Sequence, residues 1–369
     1  MTAATRPPLL LQALRDPDML RACTPADWDV LLRQAASANL MAALWHLVER
    51  HGLLAELPGY AREQLAWADM LGRRHRQAVL WEVRLIAQAL AGLGLPLILL
   101  KGAAYRVAGL RCADGRLFSD IDILVPEARL AEVEAALMLN GWASAHQDDY
   151  DQRYYRLWMH ELPPMQHMWR STVIDVHHAI LPKTAALRPD PALLRAAAVP
   201  LAGQPGMQVL APADMLLHSA VHLFHDGEFK HGLRDLLDID ALLSEFGPQP
   251  QFWARLPQRA LELQLQRPLF YALRYCQRLL GTAVPEAVTA ALRPAGPGPL
   301  LLMLMDALFD RALLPEHPSC DDGFSAGARF LLYLRGNWLR MPALLLVRHL
   351  LHKALLSPRK EETPAVHLR

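Results

Sequence analysis

The 369-residue chain carries 38 Lys and Arg against 37 Asp and Glu, a formal charge of +1, so its overall charge makes no case for a nucleic-acid-coating protein. With 53% hydrophobic and 20% charged residues it has the composition of a folded globular protein, and its length favours two or three domains. Four dispersed cysteines, Cys23, Cys112, Cys276 and Cys320, form no C-x-x-C pair, which suggests neither a disulfide framework nor a zinc knuckle and fits a reducing cytoplasm.

The apolar patch in "MTAATRPPLLLQALRDPD" is too short to be a secretory signal, and no stretch reaches the ~18 unbroken apolar residues of a spanning helix. Residues 1–93 read as an N-terminal helical region, in which Val79, Val83, Ile86, Leu90 and Leu93 form one apolar stripe that stops at "GLGLP". "LPLILLKG" reads as a central strand feeding a turn, "AAYRVAGL" as a short helix and "RCADGR" as a loop. A strand, "RLFSDIDILVP", follows, then a helix from Pro126 to Asn140 with Gly141 past its end. "YYRLWMHELPPMQHMW" suggests two strands around a Leu-Pro-Pro turn, and "STVIDVHHAI" a third. Together these describe a small mixed α/β (α+β) sheet domain at 94–182. Residues 183–357 return to helices, one opened by "APADMLLHSAVHLFHDG" and another by "LRDLLDIDALLSEFG". Near the end, "MPALLLVRHLLHKALL" reads as an amphipathic helix packed on its own protein, before a frayed tail at 358–369.

Two aspartates stand inside the strand "SDIDILV". Side chains alternate along a strand, so Asp120 and Asp122 share one face while Ile121, Ile123 and Val125 take the other. Paired like charges repel, and burial adds a desolvation cost, so a hydrated strand end or a bound cation is needed. Neither carboxylate has an evident structural partner in the sequence. Asp175, in "TVIDVHH", is a third acid on a strand, with His177 on its face. Three carboxylates on two strands of one sheet could hold two Mg²⁺ ions. If those strands are neighbours, the carboxylates fall within reach of a shared metal. Upstream, the glycine of "LLKGAA" lets backbone approach a phosphate at a strand-to-helix turn and Lys101 adds charge, although a tight turn packing helix on sheet explains the same residues.

The order "LLKGAA", "RLFSDIDILV", "VIDVHH" resembles the uncharacterised nucleotidyltransferase family of the polymerase-beta-like superfamily, as do Arg116 and Ser119 ahead of the first aspartate and "VLAPADMLLHSAVHLF" followed by "LRDLLDID". The resemblance implies a nucleotidyltransferase core flanked by helical regions. It also implies an enzyme that moves a nucleoside monophosphate from an NTP, most simply ATP, to an unidentified acceptor, with room for a partner protein from the same operon. Asp120, Asp122 and Asp175 would be the catalytic metal ligands. Lys101, Gly102, Ala103, Arg116 and Ser119 would contact the nucleotide, with a structural role for Arg116 equally open. His177 and His222 would line the substrate. Two departures from the superfamily pattern are Ala103, which offers no hydroxyl to phosphate, and Asp175, where glutamate is common.

His218, His222 and His225 recur at i, i+4 and i+7 of one predicted helix, with Asp226 next, a spacing that a zinc site could use. Two rival functions therefore stand beside the transferase: a catalytically silent nucleotide or ligand binder, favoured by Ala103, and a metal-dependent phosphohydrolase centred on those histidines.

Overall fold

The structure, a computed structural model, describes residues 7–144 and 149–342. All but the first two residues of the C-terminal amphipathic stretch lie outside them, as does the tail. The apolar runs become short strands: β1 (Leu97–Leu99), β2 (Asp120–Leu124), β3 (Trp142–Ser144), β4 (Met165–His167), β5 (Val173–His177), β6 (Val199–Pro200) and β7 (Met207–Val209). They form one mixed sheet in the order β3-β4-β5-β2-β1-β7-β6. β2 runs parallel to β5 and antiparallel to β1, and β1 runs parallel to β7. The fold is α+β, with the central strands buried and helices on either side in sequence.

Two expectations are corrected. Tyr154–Trp158, read as strand, belongs to the Asp149–Trp158 helix, and only Glu161 forms an isolated bridge, to His177, before β4 begins. Aromatic residues suit strands, but Tyr154 and Trp158 are four apart and their rings meet edge-on at 5.7 Å, a helical contact. The sheet also continues past residue 182, because β6 and β7 come from a segment read as wholly helical. Strands of two and three residues are too short to show a period, and β7 is held by its parallel ladder with β1.

The Gly59–Leu90 helix buries Val79, Val83, Ile86 and Leu90, the predicted stripe, and packs against the helix that follows β1. The Pro212–His225 helix is buried along most of its length and packs against the Gly232–Phe246, Pro250–Glu262 and Gln266–Tyr275 helices. Its first turn is locked by a buried ion pair. Arg259 donates from Nε to Asp214 Oδ1 at 2.7 Å and from a terminal nitrogen to Oδ2 at 2.9 Å, with both side chains almost fully covered. After the last turn Gly227 takes φ 83°, and a Cβ there would lie 2.9 Å from the Gly336 Cα, so the Ser325–Arg340 helix crosses close above it. Among the described residues no single helix is long and apolar enough to cross a membrane.

Removing one partner of a buried pair leaves the other charge without compensation. Arg259→Met is therefore expected to lower unfolding free energy by about 3–5 kcal/mol, read from the urea midpoint. A shift under ~1 kcal/mol, the range of an exposed pair, would show that this pair does not hold the helical region.

Candidate active site

The site is built where β1 ends and β2 begins. These strands are antiparallel, so the carboxyl end of β1 meets the start of β2, and the Leu100 N–H donates to the Asp122 carbonyl at 2.9 Å. Lys101 then turns the chain with φ 43°, a conformation costly for a residue with a Cβ. The turn brings Lys101 Nζ to 3.1 Å from Asp122 Oδ1. β5 lies on the other side of β2 in parallel register, which sets Asp122 opposite Asp175 and Leu124 opposite His177. Asp120, Asp122, Asp175 and His177 thus share one face, while Ile121, Ile123, Ile174 and Val176 are buried on the other.

Asp122 is 3% exposed and accepts from Lys101 and from His177, whose Nε2 lies 2.8 Å from Oδ1. This corrects the expectation that neither carboxylate has a structural partner. Burial would raise the Asp122 pKa, but the Lys101 charge and the His177 hydrogen bond outweigh it and hold the group well below the ordinary carboxylate range. Burial likewise opposes the Lys101 ammonium, and the charges of Asp122, Asp120 and Glu161 more than restore it. For Asp175 the help of the His177 charge is too small. Burial first, then the charges of Glu161 and Asp122, push its carboxyl up to about 8, and its Oδ1 is buried without a hydrogen-bond partner. An all-oxygen donor set is of the type that suits a hard divalent cation such as Mg²⁺, although oxygens of the three aspartates do not all come within 4.8 Å of one another.

The glycine turn is explained by packing. A Cβ on Gly102 would stand 2.0 Å from Phe118 Cδ1, so only glycine admits the ring. Phe118 is fixed in turn by its N–H, which donates to His75 Nε2 at 2.9 Å, and by stacking on that imidazole. Arg116 is engaged by the helical region that follows the sheet. Its guanidinium pairs with Asp238, lies 4.0 Å from Asp235 and faces the Tyr105 and Phe118 rings, so "LRDLLDID" braces the loop that delivers β2. Ala103 is buried in the short helix and Ser119 is exposed just before Asp120.

The histidines of the Pro212–His225 helix do not gather. His218 is buried toward the site, and burial followed by the Lys101 and His177 charges keeps it neutral. The Lys101 charge first, then burial, lowers the His222 pKa, and His222 Nε2 lies 3.9 Å from Asp226. His225 lies against Leu187, Tyr271 and Arg335 around another cavity. His178, next to His177, turns to the opposite side near Glu127. Two site residues were missed in the sequence, His160 and Glu161. Glu161 Oε2 lies 3.3 Å from His177 Nδ1, and the His160 ring centroid is 5.2 Å from that of His177. Glu161 is the only acid between Tyr154 and Trp169, two residues before the Pro-Pro turn, and that isolation was the available signal.

The raised Asp175 pKa has a sign that can be measured in metal-free protein. An unfolded aspartate ionises near ~3.9, whereas the folded one holds its proton to about 8. Its contribution to stability is complete below the lower value and is lost as pH rises through the upper one. The melting temperature should therefore fall relative to that of Asp175→Asn across this window, with a constant offset below it. Parallel profiles would remove the strained carboxylate.

Residues 24–281 match the family described as uncharacterised nucleotidyltransferase. The match spans the whole sheet, the glycine turn, the three aspartates and the helices that brace them. No curated protein and no solved structure matches the chain. With the matched segment covering well over half its length, the chain belongs to the uncharacterised nucleotidyltransferase family, and its general activity is that of a nucleotidyltransferase.

Proposed function

We propose that the protein transfers a nucleoside monophosphate from an NTP, with ATP the simplest candidate, to a hydroxyl or phosphate oxygen of an acceptor. The observation that carries this reading is the register of β2 and β5, which puts Asp122 opposite Asp175 on the face that also holds Asp120 and Lys101. Asp120, Asp122 and Asp175 would hold Mg²⁺, which when bound neutralises charge on phosphate oxygens and on the entering and leaving groups. Asp175, once ionised beside a bound cation, would orient the acceptor hydroxyl and take its proton. Lys101 supplies the cation for the triphosphate, and His222, partly exposed beside it, lines the approach. The four unpaired cysteines suit a cytoplasmic site for this reaction.

A second reading has one observation in its favour. The Phe118 ring fills the space next to Gly102, and Ala103 offers no hydroxyl, so a binder without turnover would need fewer adjustments around the phosphates.

Asp120 makes the cleaner test, because Asp122 also neutralises Lys101. Label from α-phosphate-labelled ATP should pass, with Mg²⁺ present, to a component of a metabolite extract. Asp120→Asn should cut that transfer by at least about 10²-fold, the scale of a lost metal contribution of several kcal/mol, with the fold unchanged by circular dichroism. Mg²⁺-dependent ATP binding without any label transfer would favour the silent binder. Full transfer by the variant would remove the aspartate pair from the chemistry.

A further inference from the structure

Glu161 and His177 meet in a way that hydrogen bonding within the chain does not account for. His177 is 2% exposed, and its Nε2 lies 2.8 Å from Asp122 Oδ1. A carboxylate only accepts, so the ring proton belongs on Nε2 and donates to Asp122. In the neutral imidazole Nδ1 then carries a lone pair, while the Glu161 and Asp122 charges favour a second proton there. It faces Glu161 Oε2 at 3.3 Å, and Nδ1 has no hydrogen-bond partner. His160 approaches the same oxygen, with Nε2 at 3.9 Å, and its Nδ1 is also buried without a partner. One ligand atom from each of His160, Glu161 and His177 lies within 4.8 Å of the others, the only such group among the described residues.

The topology makes this convergence. β5 ends at His177, the isolated bridge ties Glu161 to it, and the His178 N–H donates to the His160 carbonyl at 2.8 Å. The stretch before the Pro-Pro turn is thereby laid along the end of β5. Two imidazole nitrogens and one carboxylate oxygen form a different donor set from the all-oxygen set of the aspartates, and one preferred by Zn²⁺ and its first-row neighbours over Mg²⁺. The Asp122–His177 bond adds the outer partner that a metal-binding histidine ordinarily has: a carboxylate on the far nitrogen that fixes the tautomer and aims the near one.

We propose that His160, Glu161 and His177 form a second metal site, for a divalent ion of the zinc class, joined to the aspartate site through the His177–Asp122 hydrogen bond. Three protein ligands leave a further position for water or substrate. The competing account places a second proton on His177, making an imidazolium between Asp122 and Glu161 with no ion.

Metal binding without nucleotide separates the two, and does not depend on the transfer reaction. Full-length, metal-stripped protein is titrated with Co²⁺ in excess Mg²⁺. About one ion per chain with the visible bands of nitrogen-ligated, low-coordinate Co²⁺ is expected. His160→Gln and Glu161→Gln should each abolish those bands, and Asp120→Asn should keep them. Absence of the bands, or their equal loss in Asp120→Asn, overturns the proposal. X-ray absorption on Zn²⁺-loaded wild type needs no variant: two imidazole ligands support the site, and an oxygen-only shell overturns it.

Discussion

The structure turns on a charge imbalance confined to one face of three strands. Asp120, Asp122 and Asp175 stand on one face of β2 and β5, Glu161 is bridged to the end of β5, and Lys101 and His177 are the basic groups that meet them. Asp122 takes most of that positive charge and a histidine hydrogen bond besides, so the remaining deficit falls on Asp175. A chain that had only to fold would relieve the strain by replacing one acid with an amide or an apolar residue, since a buried carboxylate without a partner is destabilising. On the proposed reading, a bound cation would relieve that strain. The strained turn at Lys101 belongs to the same account, because its left-handed backbone is what carries Nζ back over Asp122.

Around this face the helices act as braces. Phe118 is held by His75 from the Gly59–Leu90 helix, and Arg116 by Asp235 and Asp238 from the Gly232–Phe246 helix. These contacts come from segments before and after the sheet, and both fix the loop that starts β2. Tyr105, on the short helix after β1, meets Ser219 at 2.5 Å and so joins that helix to the Pro212–His225 helix that carries His218. The helical regions therefore set the position of the aspartates as much as the sheet does.

The sequence made some of this legible and hid the rest for physical reasons. Alternation along "SDIDILV" and "TVIDVHH" is a local property, so the face of each aspartate could be read directly. Which strands adjoin is not local, and the Asp122–Asp175 register emerged only with the sheet. Arg116 pairs with acids more than a hundred residues away, which no spacing rule reaches. His160 and Glu161 were not legible because aromatic residues in "YYRLWM" suit a strand while their spacing is helical, so the bridge that Glu161 makes to His177 has no local pattern. The histidine helix misled in the opposite sense. Its i, i+4, i+7 pattern is real, but His225 looks into a separate cavity, and the histidine that gathers acids is His177 on β5.

The two departures from the superfamily pattern carry unequal weight. Ala103 lacks a hydroxyl, yet it is buried in the helix after the turn, where Phe118 already occupies the space beside Gly102, so on the proposed reading phosphate contacts there would depend on backbone and on Lys101. Asp175 in place of a longer acid matters more, because it is the carboxyl that burial, then the charges of Glu161 and Asp122, push up to about 8. Under the proposed reaction, that cost would be offset by a bound cation, which favours the ionised carboxylate.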